Sequence, residues 1–370
     1  MTTVCELNKC TGCMACVDIC PKNAINIKDS LDAYNAVIDA DKCINCNLCH
    51  KICQNNNNLE LSKPIKWYQG WAEDEDVRSR SSSGGVATAL MLSFVENGGY
   101  ACSCIFRDGQ FLFDVTNKKE DIGMFAGSKY VKSNPQGIYK KIKNLLNNGE
   151  KVLFIGLPCQ VAALKLFVGE QLVDNLYTVD LICHGTPSPQ LLQMFLKQYG
   201  YELKDIKNIA FRKKNKFQVR DGDKGIITNG VTDSYLISFL NGVCYTENCY
   251  SCKYAQFNRV SDITLGDSWG SDLSNEEQSK GISLILCKTD KGMHLVEHTR
   301  LKLFKVNIVN AIKNNRQLEH PSFLSEGREI FFKGILSGIR YNKIVCKIFP
   351  LQFFKHRLKR LLFIFRKGFM

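Results

Sequence analysis

Two runs of cysteines in the first 53 residues constrain this chain more than any other feature. They are Cys10-Thr-Gly-Cys13-Met-Ala-Cys16-Val-Asp-Ile-Cys20 and Cys43-Ile-Asn-Cys46-Asn-Leu-Cys49-His-Lys-Ile-Cys53, with the same intervals of two, two and three residues. Three cysteines two residues apart wrap a tight loop around one face of a cubane, so that three thiolates reach three irons. The fourth thiolate comes from elsewhere, and in two-cluster modules the last cysteine of each run crosses to the other cluster. The spacing therefore assigns Cys10, Cys13, Cys16 and Cys53 to one [4Fe–4S] cluster and Cys43, Cys46, Cys49 and Cys20 to a second. Pro21 follows the first run as the pattern expects, and Gln54 stands in place of the second proline, touching no ligand. A zinc site would pair two CxxC units rather than run four cysteines together.

A disulfide framework is the other rival. The amino end, MTTVCELNKC, lacks an apolar h-region, which argues against export, and a long chain with a sizeable core does not need staples. Eighteen cysteines then point to a reducing, cytoplasmic setting and to metal ligation. At 370 residues two or three folded units are expected. No run of about 18 uninterrupted apolar residues occurs, so no membrane span is expected. The net charge of +13 is a property of the tail: from Ile330 to Met370 there are ten Lys or Arg and no Asp or Glu, and 13 − 10 leaves +3 for the rest. That distribution gives little support to nucleic-acid binding, and none is expected.

Residues 1–60 read as a ferredoxin-type module. Ala24–Lys28 and Ala36–Asp39 are its short strands around a turn at Asp29–Asn35, and Gln54–Asn58 with Ser62–Pro64 forms a polar linker. A second unit, 65–340, reads as mixed α/β, so the whole chain is an α+β protein. It opens with an aromatic strand at Trp67–Trp71. The loop Ser81-Ser82-Ser83-Gly84-Gly85 then leads into a helix from Val86 to Glu96, whose apolar residues recur at helical spacing. Such a loop can offer N–H groups to an anion or serve only as an N-cap. Tyr100–Phe106 and Gln110–Val115 flank Asp108-Gly109 as a β-hairpin, with Cys102 and Cys104 on one face as buried small residues.

Lys151–Ile155 is a buried strand running through Gly156-Leu-Pro-Cys159-Gln160 into a helix. Leu176–Ile182 is the next strand, ending in Cys183-His-Gly-Thr-Pro187 before a helix at Pro189–Tyr199. Strand–helix–strand–helix predicts a parallel βαβ unit. It sets Cys159 and Cys183 at carboxyl ends of strands, where open α/β sheets place their ligands, and Cys159 at a helix N-terminus, which favours the thiolate. A strand-rich section follows from Ile206 to Thr228. Cys249-Tyr-Ser-Cys252 supplies two further thiolates, and the four together suffice for a third cubane, with a zinc site or a redox CxxC as alternatives; Cys244 is a spare. His294-Leu-Val-Glu-His298 matches an HxxEH zinc pattern but reads as the exposed face of a helix. The end of the chain, 341–370, is a basic amphipathic tail: Leu351, Phe354, Leu358, Leu361, Leu362 and Phe365 at helical spacing among Lys355, Arg357, Lys359, Arg360, Arg366 and Lys367. Such a helix suits a membrane surface, placing the protein peripherally at the inner face of the membrane, or packing on its own body or a partner.

Taken in order, Ser81-Ser-Ser-Gly-Gly-Val86, Gly127-Ser-Lys-Tyr-Val-Lys-Ser133, Val152-Leu-Phe-Ile-Gly-Leu-Pro-Cys-Gln160, Val179-Asp-Leu-Ile-Cys-His-Gly-Thr-Pro-Ser188, Cys249-Tyr-Ser-Cys252 and Ser261-Asp-Ile-Thr-Leu-Gly-Asp-Ser-Trp269 resemble the beta subunit of coenzyme F420 hydrogenase/dehydrogenase, in its bacterial branch with a fused ferredoxin module. The resemblance runs from about residue 5 to 275. It implies FAD beside an iron–sulfur cluster in the second unit, with Cys159, Cys183, Cys249 and Cys252 as the ligands of that cluster. It implies flavin contacts at Ser81, Ser82, Ser83, Gly84 and Gly85 and at Gly127, Ser128, Lys129, Tyr130 and Gln160, with Lys129 as the candidate catalytic residue. The activity implied is an iron–sulfur flavoprotein oxidoreductase fed by a redox partner such as a ferredoxin and acting on an organic acceptor. By analogy with the bacterial branch, that acceptor is a sugar or lipid-linked intermediate of surface-polysaccharide synthesis. The alternative is a non-catalytic electron-transfer adapter for a partner enzyme.

Overall fold

The computed structural model describes residues 2–227 and 230–367, with side chains given as far as Arg360. The two cysteine runs fold alike. Each makes a tight turn into a single-turn helix, α1 (Ala15–Ile19) or α2 (Leu48–Ile52), entered through a left-handed residue, Met14 at φ 62° or Asn47 at φ 61°. An antiparallel pair, β1 (Ile25–Asp29) and β2 (Tyr34–Ile38), with Ile25 opposite Ile38, closes the module. These strands match the expected ones to within a residue or two. The polar linker is tied down: the side-chain amides of Asn55, Asn56 and Asn57 donate to the carbonyls of Lys9, Val4 and Cys53 at 2.6, 2.9 and 2.8 Å.

The body is one large mixed sheet with helices on both faces. Its elements in chain order are β3 (Lys66–Ala72), α3 (Glu75–Arg80), α4 (Val86–Glu96), the hairpin β4 (Tyr100–Arg107) and β5 (Gln110–Thr116), α5 (Ile138–Asn147), β6 (Val152–Gly156), α6 (Pro158–Val168), β7 (Leu176–Leu181) and α7 (Pro189–Lys197). Then come β8 (Ile209–Lys213), β9 (Lys216–Asp221), β10 (Lys224–Gly225), α8 (Ser234–Leu240), β11 (Ile263–Asp267), α9 (Asn275–Lys280), β12 (Ser283–Cys287), α10 (Asp290–Glu297), β13 (Leu301–Phe304), α11 (Ile308–Asn314), α12 (Gly327–Leu336), α13 (Tyr341–Ile348) and α14 (Pro350–Lys367). Among the described residues the sheet runs β13-β3-β12-β11-β7-β6-β4-β5, and β8, β9 and β10 form a separate antiparallel sheet. The parallel centre, β4-β6-β7-β11, carries β6 with every residue buried, as expected of a strand covered on both faces.

Several expectations hold closely. The α4 helix spans Val86–Glu96 as read. Asp108 (φ 51°) and Gly109 (φ 74°) turn the β4–β5 hairpin, the left-handed pair a two-residue turn requires. Pro158 opens α6 from its first turn. Thr228, at the end of the strand-rich section, and Leu361, Leu362, Phe365, Arg366 and Lys367 of the tail lie outside the residues whose side chains are described. His294 and His298 sit exposed on and just after α10, stacked on each other, and Glu297 is paired with Lys66.

The module docks on the carboxyl ends of the parallel strands. Asp18 accepts from Gly137 N at 2.8 Å, Ser188 Oγ donates to Asp29 Oδ2, and Arg328 Nη2 donates to Asp32 O at 3.0 Å. Below the interface, Arg259 is buried with Asp180 at 2.7 Å and also donates to Tyr254 O at 2.9 Å and Thr264 Oγ1 at 3.1 Å. This ion pair spaces β7, β11 and the CxxC loop. Replacing Arg259 by Met strands a buried carboxylate. It is expected to cost about 3–5 kcal/mol, read as a lower midpoint of urea unfolding. The double variant Arg259→Met/Asp180→Leu recovers much of that loss.

Candidate functional site

The cysteines gather in three places. Cys10, Cys16 and Cys53 pack with Cys5 in the core of the module, and Cys13 stands at its inner edge. Cys20, Cys43, Cys46 and Cys49 surround a small cavity with Ile25, Ile44 and Leu48. Cys159, at the start of α6, feels the thiols of Cys252 and Cys183, and Cys183 those of Cys249 and Cys252. A cubane takes one thiolate at each corner, so its ligands surround a volume rather than meet at a point. Among the described residues no three His, Cys, Asp or Glu converge as the ligands of a single ion would. Burial pushes the Cys183 thiol up to about 12 and that of Cys159 well above its ordinary value. Such groups become thiolates only against a strong positive charge, which iron supplies. The pattern of β6 and β7 explains the placement: both strands end beneath the docked module, and each hands its cysteine to that interface.

Cys13, Cys159, Cys252 and Tyr254 belong to one packed cluster, and Cys159 feels the Cys13 thiol across the interface. The Tyr254 hydroxyl donates to Gln54 Oε1 at 2.6 Å. Lys132, buried, reaches across to Thr11 O at 3.0 Å and sits close enough to Cys159 and Cys183 to lower both thiols. Backbone N–H of Thr186 donates to Cys249 Sγ at 3.4 Å, a hydrogen bond of the kind that tunes cluster potentials. Gln54 departs from the expected proline, and its side chain forms part of this interface. Cys244, the spare, packs in the core with Tyr235 and Tyr341, and Cys249 of the third group packs against the same core. Cys102 is buried as expected, whereas Cys104 faces a cavity.

That cavity, of about 470 Å3, lies above the carboxyl ends of β6, β7 and β11 and has Cys183 in its wall. It collects Ser81, Ser82, Ser83, Gly85, Gly127, Ser128, Lys129, Tyr130 and Gln160. Gly84 is the expected site residue that does not line it. A Cβ there would meet Gly70 O at 2.5 Å, so this glycine lets the loop lie flat on β3. The three hydroxyls are engaged by the protein: Ser81 Oγ donates to Val77 O at 2.7 Å, Ser83 Oγ to Ile282 O at 3.0 Å, and Ser82 Oγ accepts from Ser128 N at 2.9 Å. The loop lines the cavity together with the first turn of α4, entered through left-handed Gly85 (φ 85°). The Gln160 amide is likewise committed, accepting from Leu157 N at 2.9 Å and donating to Ser133 Oγ at 3.0 Å. Lys129 Nζ donates to Phe125 O and Ala126 O at 2.8 and 2.9 Å, and burial lowers its pKa.

Sequence reading misses the residue that ties the cavity together. Arg212, on β8, forms a two-pronged pair with Asp267 at 2.7 and 2.9 Å, and donates to Tyr130 Oη at 3.2 Å and Ser82 O at 2.9 Å. It joins the small sheet, the serine–glycine loop, the Gly127–Tyr130 turn and the end of β11. Its neighbours in sequence are Lys213 and Lys214, so it looks like one of a solvated basic run. The alternation of Phe211 with Arg212 on a strand is the available signal. Tyr130, Phe217, Phe239, Tyr245 and Trp269 add aromatic walls.

The fold and its cysteine groups define an iron–sulfur oxidoreductase. Residues 67–136 and 149–307 match, respectively, the N-terminal and C-terminal parts of the coenzyme F420 hydrogenase/dehydrogenase beta subunit, and residues 9–57 match a 4Fe-4S dicluster domain. The chain belongs to this beta-subunit family, with the dicluster domain at its amino end. Similar curated proteins include a subunit of the F(420)H(2) dehydrogenase of Methanosarcina mazei, 22% identical over 71% of this chain and 78% of that one. The coenzyme F420-dependent sulfite reductase of Methanocaldococcus jannaschii is 23% identical over 86% of this chain and 50% of its own length. The beta subunit of the F420-dependent formate dehydrogenase 1 of Methanococcus maripaludis is 27% identical over 62% and 58%. The chain thus spans only about half the length of the last two. A chain of the F420-reducing [NiFe] hydrogenase complex from Methanosarcina barkeri shares the fold, with a TM-score of 0.50 and 21% identity, over 76% of this chain and 97% of that one.

Lys214 bears on the same loop. Its Nζ donates to Ser83 O at 2.8 Å and to Arg78 O. Desolvation, helped by the charges of Arg78 and Arg212, lowers its pKa to about 8. Between about pH 8 and about 10.5 the unfolded chain holds this proton and the folded chain does not, so stability rises with pH across that window. Urea midpoints measured against pH are expected to show this rise in the parent protein and its loss in Lys214→Met.

Proposed function

We propose that this chain carries electrons one at a time between a redox partner protein and a flavin, most simply FAD, bound in the cavity, and that an organic acceptor exchanges electrons there in pairs. The observation that carries this reading is the continuity of the site: Cys13 packs with Cys159 and Cys252, and Cys183, of the same group, stands in the cavity wall. Two [4Fe–4S] clusters are held by Cys10, Cys13, Cys16, Cys53 and by Cys43, Cys46, Cys49, Cys20, and a third by Cys159, Cys183, Cys249 and Cys252. The outer group includes exposed Cys46 beside exposed Ile44 and Leu48, a surface suited to a docking ferredoxin. A flavin supplies the conversion between one-electron clusters and two-electron organic chemistry.

The protein's own part is binding, positioning and shielding. The N–H groups at the start of α4 take the phosphate end of the cofactor. The aromatic walls would hold a flat ring system, and the Lys129 ammonium would favour the negative charge that collects on reduction. Arg212 acts through Asp267 and Ser82 to keep the loop and the small sheet in register. The names of the curated relatives make F420 the first acceptor to try, and a sugar or lipid-linked intermediate the next. A second reading, an adapter that only passes electrons to a partner enzyme, is favoured by the fact that two of those relatives are named as subunits.

Dithionite-reduced protein, kept anaerobic and offered F420 without any partner, separates the two. Turnover supports the first reading; electron transfer to a protein acceptor alone supports the second. Cys159→Ser/Cys252→Ser is expected to leave about eight irons of about twelve. It should abolish turnover of the organic acceptor while the outer clusters still reduce cytochrome c. A variant retaining about twelve irons contradicts the assignment of the third group.

A further inference from the structure

A second cavity, larger than the redox one, lies among the described residues. A groove of about 1120 Å3 runs between α8, α12, α13 and α14. Its apolar lining is built by buried Ile237 and Ile344 with Phe353, and Ile330 stands exposed at its edge. Its rim carries Arg340, Lys343, Lys347, Arg357 and Arg360. Lys333 also lies on the rim, paired with Glu329. The acid at the floor, Asp233, is spoken for, accepting from Val219 N at 2.6 Å and Leu236 N at 2.9 Å. Beyond Glu329 the sequence contains no acid at all. Two buried polar atoms on lining residues, Asn342 Oδ1 and His356 Nδ1, have no hydrogen-bond partner among the described residues.

Outside the lining, apolar side chains stand exposed on two of the helices that frame the groove, α12 and α14. Leu336 is 71% exposed, Leu351 86%, Phe354 55% and Leu358 61%. An apolar trough ringed by cations and flanked by exposed leucine and phenylalanine has the chemistry of a surface for anionic amphiphiles, with charge for the headgroup and grease for the chain. No helix among the described residues is long and apolar enough to cross a membrane, so contact would be with the surface. We propose that this end of the molecule docks on an anionic bilayer and that the groove takes the headgroup and the upper acyl chain of a phosphatidylglycerol-type lipid. The α8 helix is the shared wall: Ser234 and Ile237 line the groove, while Phe239 and Leu240 line the redox cavity. Docking would therefore hold the redox cavity one helix away from the membrane surface. This proposal stands independently of the flavin reading.

The test is sedimentation of the full chain, purified anaerobically, with vesicles of phosphatidylcholine containing one-third phosphatidylglycerol, and with pure phosphatidylcholine as the contrast. Binding to the anionic vesicles alone is expected. Arg340→Ala/Lys343→Ala/Lys347→Ala should weaken it on the order of a hundredfold, at roughly fivefold per cation. Ser337→Trp/Ile339→Trp fills the groove and leaves every cation in place, and it should weaken binding at least about tenfold. Crosslinking of a phosphatidylglycerol bearing a diazirine in its acyl chain to the unaltered protein reads the groove without any variant, and adducts are expected on peptides of α8, α12 and α13. Equal binding to both vesicle types, unchanged binding by the filled-groove variant, adducts confined to other surfaces, or binding to duplex DNA in place of vesicles would each overturn the proposal.

Discussion

The structure depends on the contact that seats the cysteine-rich module on the body. The module has a small core of its own, yet its inner edge is part of the body's own packing. Cys13 shares a cluster with Tyr254, Cys159 and Cys252. Tyr254 is tied to Gln54, Lys253 to Gln54 O and Asn57 O, and Lys132 to Thr11 O. These bonds come from four stretches far apart in sequence, and they involve Thr11, Gln54 and Lys253, the residues that directly follow Cys10, Cys53 and Cys252. Polar linkages across a mostly apolar seam fix register as well as adding stability, because each buried donor needs its one partner. The consequence is functional, since electron transfer between metal centres demands that they be held close and still.

A second constraint shapes the cavity. The central strands end in a line, and their loops must be held open around a ligand without collapsing. Arg212 does this from a separate small sheet, with its guanidinium spread over Asp267, Tyr130 and Ser82. Arg78 performs a related task beneath the loop: it is buried, stacked 4.0 Å from the Trp71 ring, and bonded to Gly281 O at 3.0 Å and to Glu277. Both guanidiniums are matched by a carboxylate, Arg212 by Asp267 and Arg78 by Glu277, so they brace the walls and foundations of the cavity.

Much of this is legible in the sequence wherever the chemistry is local. The CxxCxxCxxxC spacing dictates two matching turns, and α1 and α2 are those turns. Apolar runs bounded by glycine and proline mark β6, α6, β7 and α7 because burial on both faces leaves no polar alternation to confuse them. The serine–glycine loop is equally visible, but the chemistry of its side chains is not. The Ser81 and Ser83 hydroxyls donate to Val77 and Ile282, and Ser82 Oγ accepts from Ser128; Ile282 and Ser128 are partners that no local pattern reveals. The same limit applies to Arg212, whose role is defined by what lies opposite it in space. It applies to Gln160 too, whose amide caps α6 from within. The basic tail reads as an amphipathic helix, and α14 is one, but the groove it completes with α8, α12 and α13 exists only in the folded chain.

On the proposed reading the three cysteine groups form one conducting line that ends at the wall of the cavity. Low-temperature EPR of the anaerobically purified, fully reduced protein, with iron counted on the same sample, tests it most directly. The account predicts about twelve irons per chain and spectra broadened by magnetic interaction among the clusters, including the one held by the second unit. About eight irons per chain, with the spectrum of an isolated two-cluster ferredoxin and nothing further, would contradict it.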